Sequence, residues 1–222
     1  MYRVGIIGLG RIACELPDNH LKAYEECEQT KVAVLCDIDK NKFFDCAAKI
    51  PQSVIWLNIN SLYSVEDMNL DIVSVCTPPN THRDIVCCIA PYVKAIFCEK
   101  PITESLEDAQ DMIDVCKHCG TILQVNCQRN FMNPVFKFSR GWMNTGIHAV
   151  SLARYLFKPE IKVEYIHLDT DEPVFELDCT HNKEPMILEG VKHLIDCIEN
   201  GHESILSGEV AKEDLREVLN HT

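Results

Sequence analysis

Short runs of β-branched and aliphatic residues alternate with longer amphipathic stretches from Tyr2 to about Cys127. The short runs predict strands at Arg3–Gly8, Lys31–Asp37, Val54–Leu57, Asp71–Thr77, Ala95–Glu99 and Ile122–Gln124. The stretches between them predict helices over Arg11–Cys27, Lys40–Ile50, His82–Ala90 and Ser105–Cys119. Pro17 falls inside the first of these, so a break is expected there, with Asp18-Asn19 able to cap a second helix starting at His20. Strands alternating with helices predict an α/β domain, a parallel Rossmann-type sheet wrapped by helices, over residues 1–127.

After Cys127 the alternation stops. A helix is expected over Thr145–Phe157, strands over Ile161–His167 and Val174–Asp178, and helices over Met186–Asn200 and Glu209–Leu219, with Gly201 placed as a helix-ending glycine. This predicts a reduced α+β domain over residues 128–222, serving substrate binding or oligomerisation, with the boundary between Cys127 and Pro134. Internal repeats and low-complexity tracts are absent from the sequence.

Composition narrows the partners. The 222 residues, 46% hydrophobic and 25% charged, suffice for one large domain or two modest ones. The longest apolar runs stop well short of the roughly 18 residues a membrane span needs. Met1–Gly8 reads as a strand rather than a leader, so a cytoplasmic protein without a membrane partner is expected. Lys and Arg total 21 against 34 Asp and Glu, and the formal charge of −13 disfavours nucleic acid. The 13 cysteines are scattered, as at Cys36, Cys76, Cys98 and Cys127, and are expected to be reduced and mostly buried. The close pair in Cys116-Lys117-His118-Cys119 has no second ligand pair at zinc-site spacing, so no metal is expected.

The chemistry gathers at predicted strand ends. Gly8-Leu9-Gly10-Arg11-Ile12-Ala13 follows the first strand and opens the first helix, the setting of a dinucleotide fingerprint. Gly8 allows the tight turn, Gly10 lets backbone approach a pyrophosphate, and Ala13 permits close packing of helix on strand. Arg11 and Ile12 lie at the helix start, where free amides and the helix dipole favour phosphate. Asp37 ends the second strand, where an acid accepts from a ribose 2′-hydroxyl. Ile38, not an arginine, comes next, so NAD is expected over NADP. Thr77-Pro78-Pro79-Asn80-Thr81-His82 and Glu99-Lys100-Pro101-Ile102 follow the fourth and fifth strands and face the same crevice.

In that order, Gly-Leu-Gly-Arg-Ile-Ala, Thr-Pro-Pro-Asn-Thr-His and Glu-Lys-Pro-Ile, the chain resembles the glucose–fructose oxidoreductase and inositol dehydrogenase family, Gfo/Idh/MocA. The resemblance implies a Rossmann domain, a second domain with an open antiparallel sheet, and hydride transfer between NAD(P) and a sugar-like or cyclitol-like alcohol or ketone. It places Thr77, Pro78, Asn80, His82 and Glu99 at the cofactor, and it brings Lys100 to the reacting hydroxyl and the cofactor. Asn126-Cys127-Gln128-Arg129-Asn130-Phe131 is similar to the family's arginine–aromatic segment, which puts Arg129 near substrate. Asn144-Thr145-Gly146-Ile147-His148 is similar to its Asp-x-Gly-x-His motif, which makes His148 the acid/base beside Lys100. Asn144 replaces the family's aspartate and supplies no negative charge to orient and stabilise the histidine–lysine pair. The segment after Cys127 is also short for the family's second domain. The competing reading is therefore a catalytically weakened nucleotide-binding protein acting as a sensor or assembly partner. A sugar or polyol substrate and a homo-oligomer are the partners the resemblance implies.

Overall fold

Six strands form one wholly parallel sheet: β1 (Tyr2–Ile7), β2 (Thr30–Cys36), β3 (Ile55–Leu57), β4 (Ile72–Val75), β5 (Ala95–Cys98) and β6 (Ile122–Val125). Their order is β3-β2-β1-β4-β5-β6, so the winding reverses between β1 and β4. This computed structural model describes residues 1–51, 54–58, 65–127 and 185–220. Each strand lies within two residues of its sequence-based limits. The fourth is shortened: Cys76 N–H still bonds the Ile7 carbonyl at 2.7 Å, and Pro78 and Pro79 then turn the chain away.

The expected break at Pro17 is present. A π-helical turn, Arg11–Glu15, is followed by α1 (His20–Glu26), whose Asn19 cap accepts the Lys22 N–H. The remaining helices are α2 (Lys40–Ala47), α3 (His82–Ile89), α4 (Leu106–Cys119), α5 (Met186–Asn200) and α6 (Gly208–Leu219). Ser105 and Ser207 cap α4 and α6, and left-handed glycines Gly120 and Gly201 end α4 and α5.

Strand alternation divides the core in two. Val4, Ile6, Ile72 and Phe97 face one side with Leu21 and Tyr24 of α1 and Ile187, Val191, Leu194 and Ile195 of α5. Val73, Val75, Ile96 and Val125 face the other with Ile85, Ile89, Met112, Leu215 and Val218 from α3, α4 and α6. The expected division at Cys127 assigned α5 and α6 to a second domain, but both complete the layers of the first. Their apolar stripes have no other core among the described residues, and polar contacts fix them. Gln124, fully buried on β6, donates to Gly190 O at 2.9 Å and accepts from Ser204 Oγ at 2.9 Å. Val125 N–H bonds Leu206 O at 2.8 Å. The predicted elements between Thr145 and Asp178 lie outside the described residues.

A second correction concerns the cysteines. Cys14 and Cys46 form a disulfide with Cα atoms 6.1 Å apart, whereas all thiols were expected to be reduced. They are 32 residues apart in sequence, and they meet because the π-helical turn and the end of α2 share one apolar cluster. Cys27, Cys36, Cys76, Cys98, Cys116 and Cys197 are free and buried. Burial pushes the Cys36 thiol up to about 12 and the Cys76 and Cys98 thiols well above the ordinary value, so these three pack as protonated, inert groups.

Candidate active site

The carboxyl ends of β1, β2, β4, β5 and β6 converge where the strand order reverses, the place where open α/β sheets bind ligands. Gly8 forms the turn there with φ +85°, and a Cβ on it would come within 2.8 Å of the Cys76 backbone. Only glycine satisfies both demands. A Cβ on Gly10 would meet nothing within 4 Å, so the backbone beyond the turn faces open space. The Arg11 and Ile12 amides lie in the first turn of the helix, where no intrahelical acceptor exists. Arg11 is exposed, Ile12 is partly buried, and Ala13 is fully buried against the strand. These features fit a bound pyrophosphate.

Asp37 sits beside this turn, 6% exposed. Its Oδ2 accepts the Leu9 N–H at 2.7 Å and its Oδ1 accepts the Asp39 N–H at 2.9 Å. The carboxylate therefore braces the glycine turn, and each oxygen keeps a lone pair for a ribose hydroxyl. Ile38, 70% exposed, extends an apolar side chain into solvent next to it.

Across the crevice, Pro78 and Asn80 are exposed and Thr77 is half-buried, with Thr81 Oγ1 donating to Thr77 Oγ1 at 2.8 Å. His82 was expected to touch the cofactor and instead is fully buried. Its Nε2 lies 2.8 Å from Thr77 O and its Nδ1 3.0 Å from Ile102 O. Its ring thereby sits between the two strand-end loops behind the crevice, each nitrogen facing a backbone carbonyl.

Glu99 is likewise turned inward, at 7% exposure. Its Oε1 lies 2.8 Å from His20 Nε2 and accepts from Asn126 Nδ2 at 2.6 Å, and its Oε2 accepts the Lys100 N–H at 3.2 Å. His20 Nδ1 lies 3.0 Å from Ser74 Oγ, which contacts the Tyr24 hydroxyl at 2.8 Å. Lys100 itself is half-buried at the rim. The roles of His20, Ser74 and Tyr24 were not read from sequence. The available signal was a serine inside the apolar strand Ile72–Val75 and a histidine at a buried helix start. Arg129, Asn144 and His148 lie outside the described residues.

A model of the Gfo/Idh/MocA family, described as an oxidoreductase family with an NAD-binding Rossmann fold, matches residues 2–127. The chain belongs to this family. Among characterised relatives, myo-inositol 2-dehydrogenase of Thermotoga maritima is 30% identical over 129 residues, 58% of this chain and 37% of that protein. Inositol 2-dehydrogenase of Rhizobium meliloti is 29% identical over 145 residues, 65% of this chain and 41% of that protein. In both cases the match spans less than half of the relative's own length. The crystal structure of a probable dehydrogenase from Thermotoga maritima superposes with a TM-score of 0.75 at 18% identity, covering 99% of this chain and 97% of that one, which establishes a shared fold. In this Gfo/Idh/MocA chain, Glu99-Lys100-Pro101 follows β5 at the same edge of the sheet as the glycine turn after β1 and Asp37 after β2.

Proposed function

We propose that the protein is an NAD-dependent oxidoreductase that transfers a hydride between the nicotinamide and a sugar-like or cyclitol-like alcohol or ketone. The observation that carries this reading is the juxtaposition at one strand-order reversal of the Gly8–Ala13 turn, Asp37 and Lys100. NAD, when bound, supplies the hydride acceptor. The Gly10, Arg11 and Ile12 backbone holds the pyrophosphate, and Asp37 accepts from the ribose 2′-hydroxyl and disfavours a 2′-phosphate. Thr77, Pro78 and Asn80 line the opposite wall. Lys100 holds the substrate oxygen and stabilises its negative charge as the hydroxyl proton leaves. His148 takes that proton, since a histidine of ordinary pKa near 6.5 exists in both forms at neutral pH. Arg129 contacts substrate, and Asn144 orients His148 without adding charge. The names of the inositol dehydrogenase relatives support the substrate class.

Fluorescence titration and turnover on a panel of inositols and aldoses test this reading together. NADH is expected to bind at least about tenfold more tightly than NADPH. Lys100→Ala should keep NADH affinity within about threefold and lose at least about a hundredfold in turnover. Binding by the native protein without turnover on any panel member would favour the sensor reading. Undiminished turnover in the variant would remove Lys100 from the mechanism.

A further inference from the structure

Beneath Lys100, Tyr24, Ser74, His20 and Asn126 are all fully buried, and together they reach Glu99 from α1, β4 and the end of β6. Hydrogen-bond bookkeeping orders them. The Tyr24 hydroxyl lies 2.8 Å from Ser74 Oγ, and burial pushes its pKa above the ordinary value, so it stays a protonated donor. Tyr24 donating to Ser74 lets Ser74 donate to His20 Nδ1. That leaves Nε2 as an N–H pointing at Glu99 Oε1 2.8 Å away. Asn126 adds a second donor to the same oxygen, and the Lys100 N–H takes the other. Run in reverse, the chain would leave the Tyr24 proton without an acceptor among the described residues. Its inner end, Tyr24, is sealed in the apolar core, so the chain does not lead protons to solvent.

We propose that His20 is a positioning residue for Lys100: its Nε2–H fixes the Glu99 carboxylate, and Glu99 in turn fixes the Lys100 backbone at the crevice rim. The inference rests on the reading of Lys100 as the group that holds the substrate oxygen. It assigns a role to the buried start of α1, seven residues past Ala13 at the end of the glycine turn.

Two substitutions at His20 separate positioning from packing. The amide nitrogen of Gln reaches the place of Nε2 and retains a donor to Glu99, whereas that of Asn reaches only the place of Nδ1. Lys100 reactivity is read by acetylation with an N-hydroxysuccinimide ester and peptide mass spectrometry, relative to exposed Lys31 in the same chain. Turnover is measured in parallel on the inositol and aldose panel. In folded His20→Asn, the Lys100 rate should shift by at least about threefold and kcat should fall by about tenfold or more, with KM for NAD within about threefold. His20→Gln should restore both to within about threefold of the native protein. A native Lys100 rate in His20→Asn, or equal impairment of the two variants, overturns the proposal. Should His20→Asn fail to fold, Ser74→Ala takes its place, because it removes the partner of Nδ1; a native Lys100 rate in that variant likewise overturns it. Shifted Lys100 reactivity with no turnover by the native protein would uphold the positioning role and sink the dehydrogenase reading.

Discussion

Glu99 is a carboxylate held where burial alone would raise its pKa. The His20 hydrogen bond, the Asn126 amide and the charge of Lys100 outweigh that burial and bring the carboxyl below its ordinary value. Its contribution to stability is therefore present above the unfolded value of about 4.3 and is lost as pH falls through the lower folded value. Urea unfolding at pH 7 and again below about pH 4 should show this as a loss of native stability in acid. Glu99→Gln should be about 1–3 kcal/mol less stable at pH 7, because its amide presents a donor to the Lys100 N–H or to the His20 and Asn126 donors. The variant should also lose less between the two pH values. An acid sensitivity equal to that of the native protein would mean that other carboxylates carry the effect.

Helix α5 starts at Met186 after Pro185, with no cap from its own segment. The cap comes from Asp18, whose Oδ2 accepts Met186 N–H at 3.0 Å and Ile187 N–H at 3.4 Å. Asp18→Ala should cost about 1 kcal/mol and raise amide exchange at the first turn of α5, readable by urea midpoint and hydrogen exchange. The same helix shows where sequence was legible and where it was not. Its extent, Met186–Asn200, follows from its apolar spacing and from Gly201, both local signals. Its seat against α1 and its borrowed cap depend on residues some 170 positions earlier, so the position of an element within a domain stayed hidden. The positions of Gly8, Asp37 and Lys100 beyond the strand ends were legible because turn chemistry and strand ends are local. His82 and Glu99 were recognised as residues but not in their orientation, since only tertiary packing turned them inward. The Cys14–Cys46 pairing depended on two helices meeting, which spacing alone does not encode.

Across the whole molecule, the stretch from Leu206 to Val218 closes one face of the sheet. Leu206, Ala211, Leu215 and Val218 are buried in that core, and at about 1.5–3 kcal/mol for each of the three larger side chains their burial rivals a typical total stability of 5–15 kcal/mol. A chain ending at Asn200 should therefore lose its cooperative thermal transition and bind a hydrophobic dye, with circular dichroism and dye fluorescence as the measurements. A sharp melt in that truncated chain would show that the sheet stands without α6. The bond from Asp18 to α5 has a wider consequence. The described residues stop at Cys127, next to Asn126, and resume at Pro185, immediately before the amides that Asp18 caps. Asn126 bonds Glu99, Glu99 meets His20, and His20 lies two residues beyond Asp18. Asn126 and the start of α5 are thus tied into one network, and that network also holds the Lys100 backbone. A displacement of Asn126 or of the start of α5 therefore reaches Glu99, and with it the backbone of Lys100, through hydrogen-bonded side chains.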